Sequence, residues 1–525
     1  MVSSSRANRR LLTAVAGLLL LGAGTWFGVK SLSGRTRPIA NDVAPTAPAT
    51  EGPTVERLCS TCHVLPPPDV EPRDLWPEKI QQMYDYAQGN RPWPKTAIPA
   101  IEEPIRYFVS RAPEALTLPV DAMWSPPSPV PFRKHALVLD AIPDPPAVSC
   151  VKFVRLSHDG PLQLLISDMR HGVVVLWTPT RPHEPAKVIG RVPHPTHTTV
   201  VDLDGDEILD ILVANLGEFW PLETTKGSVV WLRGRGRCQY ELVTLIDGIG
   251  RVNDVQAADF DGDGKLDLVV GMFGNYEAGA ILFLKNYTEN YAEPDFEPWV
   301  LDSRTGASDV PIADLNGDGR PDFVSLQSQQ HELVAAWLNV GRGRFESVQI
   351  GAAPHPRWGS TGIQLVDLDG DGDLDVLWNH GDAVQIPPVL RPYHGVSWLE
   401  NQGCYPFVYH RVAHLPGVHT SQPADLDGDG KLDIVSSVFI PAATPGWPDT
   451  ENLETIIWLR QTAPGQFKRY FLETGVPFHP CAATGDYDGD GDLDIVVGNF
   501  TMFPEKTPPQ PGCITILENL SVRAK

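Results

Sequence analysis

From residue 132 to residue 520 the chain alternates short apolar runs with polar, glycine-rich turns. The runs are strand length, as in Leu268–Gly271 (LVVG), Ile495–Gly498 (IVVG), Ser228–Arg233 (SVVWLR), Val396–Glu400 (VSWLE) and Ile456–Arg460 (IIWLR). A further strand often opens on phenylalanine, as in Phe407–Leu415 and Phe467–Thr474. Upstream the period changes. Arg73–Gln88 and Ile98–Ser110 place their apolar residues at helical spacing, with Leu75, Ile80, Met83, Tyr84 and Ala87 on the first and Ile101, Ile105 and Phe108 on the second. Leu11–Val29 is uncharged throughout and follows Arg6, Arg9 and Arg10. At about 1.5 Å per residue it is just long enough to cross a bilayer as a helix. The expectation is a signal anchor or signal peptide over residues 1–30, placing the rest outside the cytoplasm, in the periplasm or at the cell surface. Residues 31–53, rich in Pro, Ala, Thr and Ser, read as a tether.

The strand-rich region is punctuated by one nonapeptide. It appears as DLDGDEILD (Asp202–Asp210), DFDGDGKLD (Asp259–Asp267), DLNGDGRPD (Asp314–Asp322), DLDGDGDLD (Asp367–Asp375), DLDGDGKLD (Asp425–Asp433) and DYDGDGDLD (Asp486–Asp494). The copies start 57, 55, 53, 58 and 61 residues apart, which is the signature of supersecondary units in series. Side-chain oxygens at positions 1, 3, 5 and 9 of a tight loop converge on one hard cation, and glycine permits the sharp reversal. The expected ligands are therefore Asp202, Asp204, Asp206 and Asp210; Asp259, Asp261, Asp263 and Asp267; Asp314, Asn316, Asp318 and Asp322. In the second half of the chain they are Asp367, Asp369, Asp371 and Asp375; Asp425, Asp427, Asp429 and Asp433; Asp486, Asp488, Asp490 and Asp494. An all-oxygen, carboxylate-rich shell suits Ca²⁺, up to six ions in all, rather than zinc or copper. The bidentate Glu that closes an EF-hand loop is missing.

These loops resemble the FG-GAP/VCBS repeats of integrin-α-type β-propellers, whose D-x-D-x-D-G-x-x-D loops hold calcium between the first two strands of each blade. The resemblance covers about 390 residues and implies a mainly β, seven-bladed propeller over 132–525. A degenerate copy, Arg155–Gln163 (RLSHDGPLQ), supplies the seventh unit, with the Arg155 guanidinium standing where an ion would bind. The last repeat stops at Ile514–Leu520 without a fourth strand. Phe132–Ile142 is therefore expected to complete that blade and close the ring, which hides sheet edges that would otherwise template aggregation.

Composition adds two constraints. The net charge of −23 argues against nucleic-acid binding, and the six loops alone hold 26 acidic residues, so no acidic tail is needed to explain it. The seven cysteines are too few for a disulfide framework. Two of them lie in Cys59-Ser60-Thr61-Cys62-His63, the C-x-x-C-H pattern of c-type haem attachment, in which two thiols add to one porphyrin and the histidine ligates iron. Residues 54–118 thus resemble a small helical cytochrome c module carrying one haem c on Cys59, Cys62 and His63, with Met83 as the candidate distal ligand and Met123, a histidine from elsewhere or an open position as the alternatives.

Further candidates lie on the propeller. The long connections Gly217–Gly227, His380–Gly395, Phe439–Glu454 and Phe500–Gly512 carry Trp220, Tyr393, His394, Trp447 and Phe503 on the face away from the metal loops. Inner-strand positions His197, Asp254, Asp309, His419 and His479 are aimed at a central channel, and Cys150 and Cys481 stand in neighbouring blades, as a disulfide or as two thiols. The functional expectation is an exported, membrane-anchored haem protein rather than a stand-alone enzyme. Its propeller binds a protein or glycan ligand, and its haem exchanges electrons with a redox partner. The alternatives are an adhesion scaffold with structural or no haem, and a propeller dehydrogenase feeding its own haem.

Overall fold

The computed structural model describes residues 55–60, 63–89, 99–119, 124–274, 278–384, 389–441, 452–507 and 509–521. Among them no helix is long and apolar enough to cross a membrane; the run Leu11–Val29 lies outside the described residues, as do Cys62, Met123 and Trp447. The chain forms two units, one ending at Ala115 and the other running from Leu116.

The larger unit is a seven-bladed β-propeller. Each sheet is an antiparallel meander, and in all but the last blade its strands pair in chain order from the axis outwards. The second blade shows the plan, with Pro195–Val201 innermost, then Asp210–Asn215, Gly227–Gly234 and Tyr240–Ile249. Inner strands of successive blades touch one another around a closed circle, the seventh against the first. Closure follows the expected route: Phe132–Leu137 pairs antiparallel with Ile514–Asn519, in register from Phe132↔Asn519 to Leu137↔Ile514. The inner strand of the fourth blade is broken, Ala307–Asp309 and Ile312–Ala313 both pairing with Asp322–Gln327.

Second strands such as Asp267–Met272 are buried at every position, because each blade is packed on both faces by its neighbours. That is why they read as unbroken apolar runs rather than as alternation. Outer strands such as Gln466–Thr474 alternate between exposed and covered positions. Blades approach closely where a side chain is missing: a Cβ on Gly351 of the fourth blade would stand 2.6 Å from Leu399 of the fifth.

Polar latches supplement this packing. Ser149 Oγ donates to Pro195 O of the next blade at 2.7 Å, Asn253 Nδ2 to Ser308 O at 2.8 Å and Thr361 Oγ1 to Val418 O at 3.1 Å. Toward the opposite rim, Glu332 of the fourth blade accepts from the backbone N–H groups of Gly359 (3.2 Å) and Ser360 (3.0 Å) in the fifth, and from the Ser360 hydroxyl. Burial pushes the Glu332 carboxyl up to about 8 from an ordinary 4.5, against the partial offset of the Ser360 and Gly359 bonds. A raised folded-state pKa means that the native chain holds a proton the unfolded chain has lost. Stability is therefore complete below about 4.5 and declines as pH rises through about 8. In saturating calcium, Glu332→Gln should flatten the fall in melting temperature across that window; an unchanged slope would show that this carboxyl does not titrate there.

The smaller unit contains α1 (Val55–Cys59), α2 (Trp76–Gly89) and α3 (Glu102–Val109). The helix expected from Arg73 begins instead with a 3-10 turn, Arg73–Leu75, and the second starts at Glu102. Trp76 stacks on Phe108 with ring centroids 4.1 Å apart, and Val55, Val70, Ile80, Tyr84 and Ala112 complete the buried set. Arg73 clamps the end of the unit by donating to Ala112 O at 3.1 Å.

Candidate metal centres

Each intact acidic loop joins the innermost strand of its blade to the second, so all six lie on one rim. Local hydrogen bonds wind the loop. In the first copy the Asp202 carboxylate accepts from the N–H groups of Asp206 (3.1 Å) and Glu207 (2.9 Å), and Asp206 accepts from Ile208 (2.9 Å). The same pattern recurs at Asp259, Asp314, Asp367 and Asp425. Glycines with positive φ (Gly262 at 78°, Gly264 at 87°) make the reversal, a conformation that costs other residues.

The winding gathers the carboxylates. In five loops three acidic groups present oxygens all within 4.8 Å of one another: Asp202, Asp204 and Asp206; Asp259, Asp261 and Asp263; Asp367, Asp369 and Asp371; Asp425, Asp427 and Asp433; and Asp486, Asp488 and Asp494. The loop at Asp314 has Asn316 at its third position and so offers a carboxamide there. Buried Asp204 Oδ1 has no hydrogen-bond partner among the described residues. A hard divalent cation fits this donor set, satisfying such oxygens and cancelling their mutual repulsion.

The ninth-position aspartates have a second task that the motif does not reveal. They are buried at the start of the second strand, where Asp494 Oδ2 accepts from Tyr487 N–H (2.6 Å) and Oδ1 from Asn519 N–H (2.8 Å). Asp322 and Asp375 do the same with Leu315 and Asn339, and with Leu368 and Asn401. Burial pushes these carboxyls up, to about 6 at Asp210, Asp375 and Asp433 and about 7 at Asp267 and Asp494, with the backbone donors offsetting part of the rise.

The residue donating its N–H to Oδ1, at the end of the third strand, is an amide in five blades: Asn286, Asn339, Asn401, Gln461 and Asn519. In three of these blades its side chain reaches the preceding blade. Asn339 donates to Phe260 O (2.8 Å), Gln461 to Leu368 O (3.0 Å) and Asn519 to Leu426 O (2.9 Å). The nonapeptide does not include these amides, although an Asn or Gln directly after W-L-x or I-L-x at Asn401, Gln461 and Asn519 was a visible signal.

Basic side chains enter some loops from the residue preceding that amide position. Arg233 pairs with Asp204, Lys285 with Asp261, and Arg460 with Asp427 and with Asp429 (3.3 Å). The degenerate first-blade loop is held by Arg155, whose Nη1 donates to Gly160 O at 3.0 Å.

Of the channel candidates, the structure brings together His197, Asp254 and Asp309. His197 Nδ1 pairs across the blade boundary with Asp254, which also accepts from Val310 N–H (2.9 Å). Although burial acts to raise it, His197 and its hydrogen bond bring Asp254 down to about 2, while burial and the Asp254 charge push Asp309 up to about 7. His419 bonds to Pro480 O, and His479 is buried against Glu473 instead of facing the axis. Cys150 and Cys481 are buried free thiols.

On the opposite rim, connections from three blades meet: Phe219 stacks on Phe500 (5.8 Å) and Phe439 meets Phe500 edge-on (5.2 Å). Beside them Trp220 is 41% and Leu222 59% exposed, whereas His394 is buried. In the small unit, Cys59 ends α1 and burial, followed by Glu56, pushes its thiol up to about 11. His63 Nδ1 lies 2.8 Å from Val64 O, and Met83 is 41% exposed.

Three segments of the ring, residues 202–270, 314–378 and 425–497, match the FG-GAP-like repeat family. The chain is 29% identical to cartilage acidic protein 1 of Xenopus tropicalis over 28% of its own length and 23% of that protein's. It is 23% identical to T-cell immunomodulatory protein of Rattus norvegicus over 56% of the chain and 48% of the relative. To integrin alpha-4 of Xenopus laevis it is 27% identical over 33% of the chain and 18% of the relative. The chain thus spans about half or less of the length of these curated relatives. With the strand order, the closed ring and the acidic loops on one rim, these matches show FG-GAP-like repeats built into a seven-bladed β-propeller.

Proposed function

We propose that this chain is an exported interaction scaffold. Its propeller, stabilised by calcium in up to six loops, binds a protein ligand through the rim opposite the metal. The observation that carries this reading is the Phe219–Phe439–Phe500 cluster with Trp220 and Leu222 exposed beside it. Three blades supply aromatic side chains to one place on a rigid frame, where binding residues concentrate, and an exposed apolar patch marks such a site. Kinship with a protein named integrin alpha-4 points the same way. Export agrees with the apolar run Leu11–Val29, proposed as an anchor, and with loops of the kind that suit the calcium level outside cells. Trp220→Asp should abolish capture of the ligand from extracts of the source organism while leaving the melting temperature unchanged; identical capture by both proteins would refute the site.

A second reading concerns the small unit, where we propose a covalent haem on Cys59 and Cys62 with His63 as the axial ligand. A metal-ligating imidazole commonly donates its other N–H to a backbone carbonyl, and the 2.8 Å contact of His63 Nδ1 with Val64 O leaves Nε2 free for iron. The exposed thioether of Met83 is available as a distal ligand. When bound, the haem would supply one-electron transfer to a redox partner. Protein carrying Cys59→Ala and Cys62→Ala should lose its haem-stained band on a denaturing gel, and a persisting band would exclude this attachment.

A further inference from the structure

Two arginines tie connections of the aromatic rim to neighbouring blades. Arg170 of the first blade lies over the Phe219 ring, 4.9 Å from its centroid, and donates to Thr501 O of the seventh. Arg251 does more. It stands at the entry to the inner strand of the third blade, Val252–Ala258, and is only 6% exposed. Its side chain reaches under the second-blade connection Gly217–Gly227. There Nη1 donates to Trp220 O at 2.6 Å and Glu218 O at 3.1 Å, with Leu222 O at 3.5 Å. Carbonyls of alternate residues thus converge on one nitrogen, and Glu218 and Glu223 of the same connection supply opposite charge to the buried guanidinium.

Close backbone approach makes this reach possible. At one end of the connection Gly217, with a φ of 72°, has the Lys226 backbone where a Cβ would stand. At the other end a Cβ on Gly227 would collide with Gly250 O, next to Arg251. Glu223 Oε2 adds a second tie by accepting from Ala278 N–H of the third blade at 3.1 Å. Above these ties Trp220 packs against Phe503 with centroids 5.6 Å apart, yet it remains 41% exposed and Leu222 59% exposed. Ordering such a connection costs conformational entropy, and charge-assisted bonds to its carbonyls offset that cost. Two of the three carbonyls belong to the residues left outermost.

We infer that Arg251 is the positioning residue of the binding rim, preforming the Gly217–Gly227 connection so that Trp220 and Leu222 meet a partner in a fixed arrangement. The inference rests on the reading of this rim as the binding face. Without the clamp the connection samples other shapes, and a partner encounters the competent one less often. Association then slows by the fraction that remains competent, while complexes once formed dissociate as before. A residue that itself touched the partner would act chiefly on dissociation.

The test compares the wild-type chain with Arg251→Met, which keeps the aliphatic stem and removes the donors, and Arg251→Lys, which keeps the charge on a single nitrogen. In the calcium-loaded full-length chain, hydrogen exchange across residues 216–227 should quicken at least about tenfold in Arg251→Met and by less in Arg251→Lys. Exchange across residues 267–272, in the second strand of the third blade, should stay the same. The binding probe is a peptide selected from a random phage-displayed library on the wild-type chain and rejected by Trp220→Asp. It should associate at least about tenfold more slowly with Arg251→Met at an unaltered dissociation rate, and Arg251→Lys should recover part of the loss. Unchanged exchange over 216–227, or unchanged association, would overturn the inference; if Arg251→Met does not fold, Arg251→Lys decides by the same two readouts. Failure to recover any peptide that distinguishes Trp220→Asp would overturn the reading of the rim as a binding face, and exchange would still decide whether Arg251 preforms the connection.

Discussion

Removing calcium should lower the melting temperature of the propeller by about 10–20 °C. Each loop gathers three acidic groups whose oxygens lie within 4.8 Å of one another in five of the six copies. A ligand that binds only the folded state stabilises it by RT ln(1 + [L]/Kd), about 1.4–2.7 kcal/mol per site at ten to a hundred times Kd. Six sites then contribute about 8–16 kcal/mol. Spread over roughly 400 residues at about 2 cal/mol/K each, this gives the stated shift. Arg233, Lys285 and Arg460 already neutralise part of the charge in three loops, which draws the expectation toward the lower end. Calorimetric melts in about 10 mM calcium and in EGTA make the comparison; coincident melts would show that the acidic rim contributes nothing through metal.

The second large effect separates two aspartates of one loop. Asp494→Ala should destabilise the chain by about 3–5 kcal/mol even without calcium, and by more in its presence, because it strands the buried N–H groups of Tyr487 and Asn519 at about 1–3 kcal/mol each and leaves a small void. Asn519 sits on the strand that pairs with Phe132–Leu137, so the damage falls where the ring is sealed. Asp488 is exposed, and its Oδ1 accepts only a local bond from Asp490 N–H at 3.1 Å. Asp488→Ala should therefore cost about 1.5–3 kcal/mol in calcium and almost nothing in EGTA, where it also relieves repulsion. Equal losses for the two variants in EGTA would show that the ninth position is a metal ligand and nothing more.

The contrast between these residues marks how far sequence reading reached. As residue types at fixed spacing, Asp488 and Asp494 are equivalent members of D-x-D-x-D-G-x-x-D. Their difference depends on the third strand, which returns 25 residues after Asp494 to put the Asn519 N–H within 2.8 Å of it. The pairing of Phe132–Leu137 with the last strand was foreseeable because an unpaired edge is costly and only one spare strand was available. Met83 and the remaining haem candidates rest on a local pattern, and Cys62 lies outside the described residues.

What the sequence determined by itself was whatever depends on neighbours along the chain: the wound acidic loops, the period that counts the blades and the apolar runs of the second strands. Chemistry at close spacing survives any arrangement of distant parts. Tertiary structure alone decided which loops receive Arg233, Lys285 or Arg460. It also decided that Glu332 reaches Ser360 and that Phe219, Phe439 and Phe500 meet across blades. Those partners stand roughly 25 to 280 residues apart, and their meeting is set by sheet twist and by the rotation from blade to blade, neither of which is written in the period of the repeat.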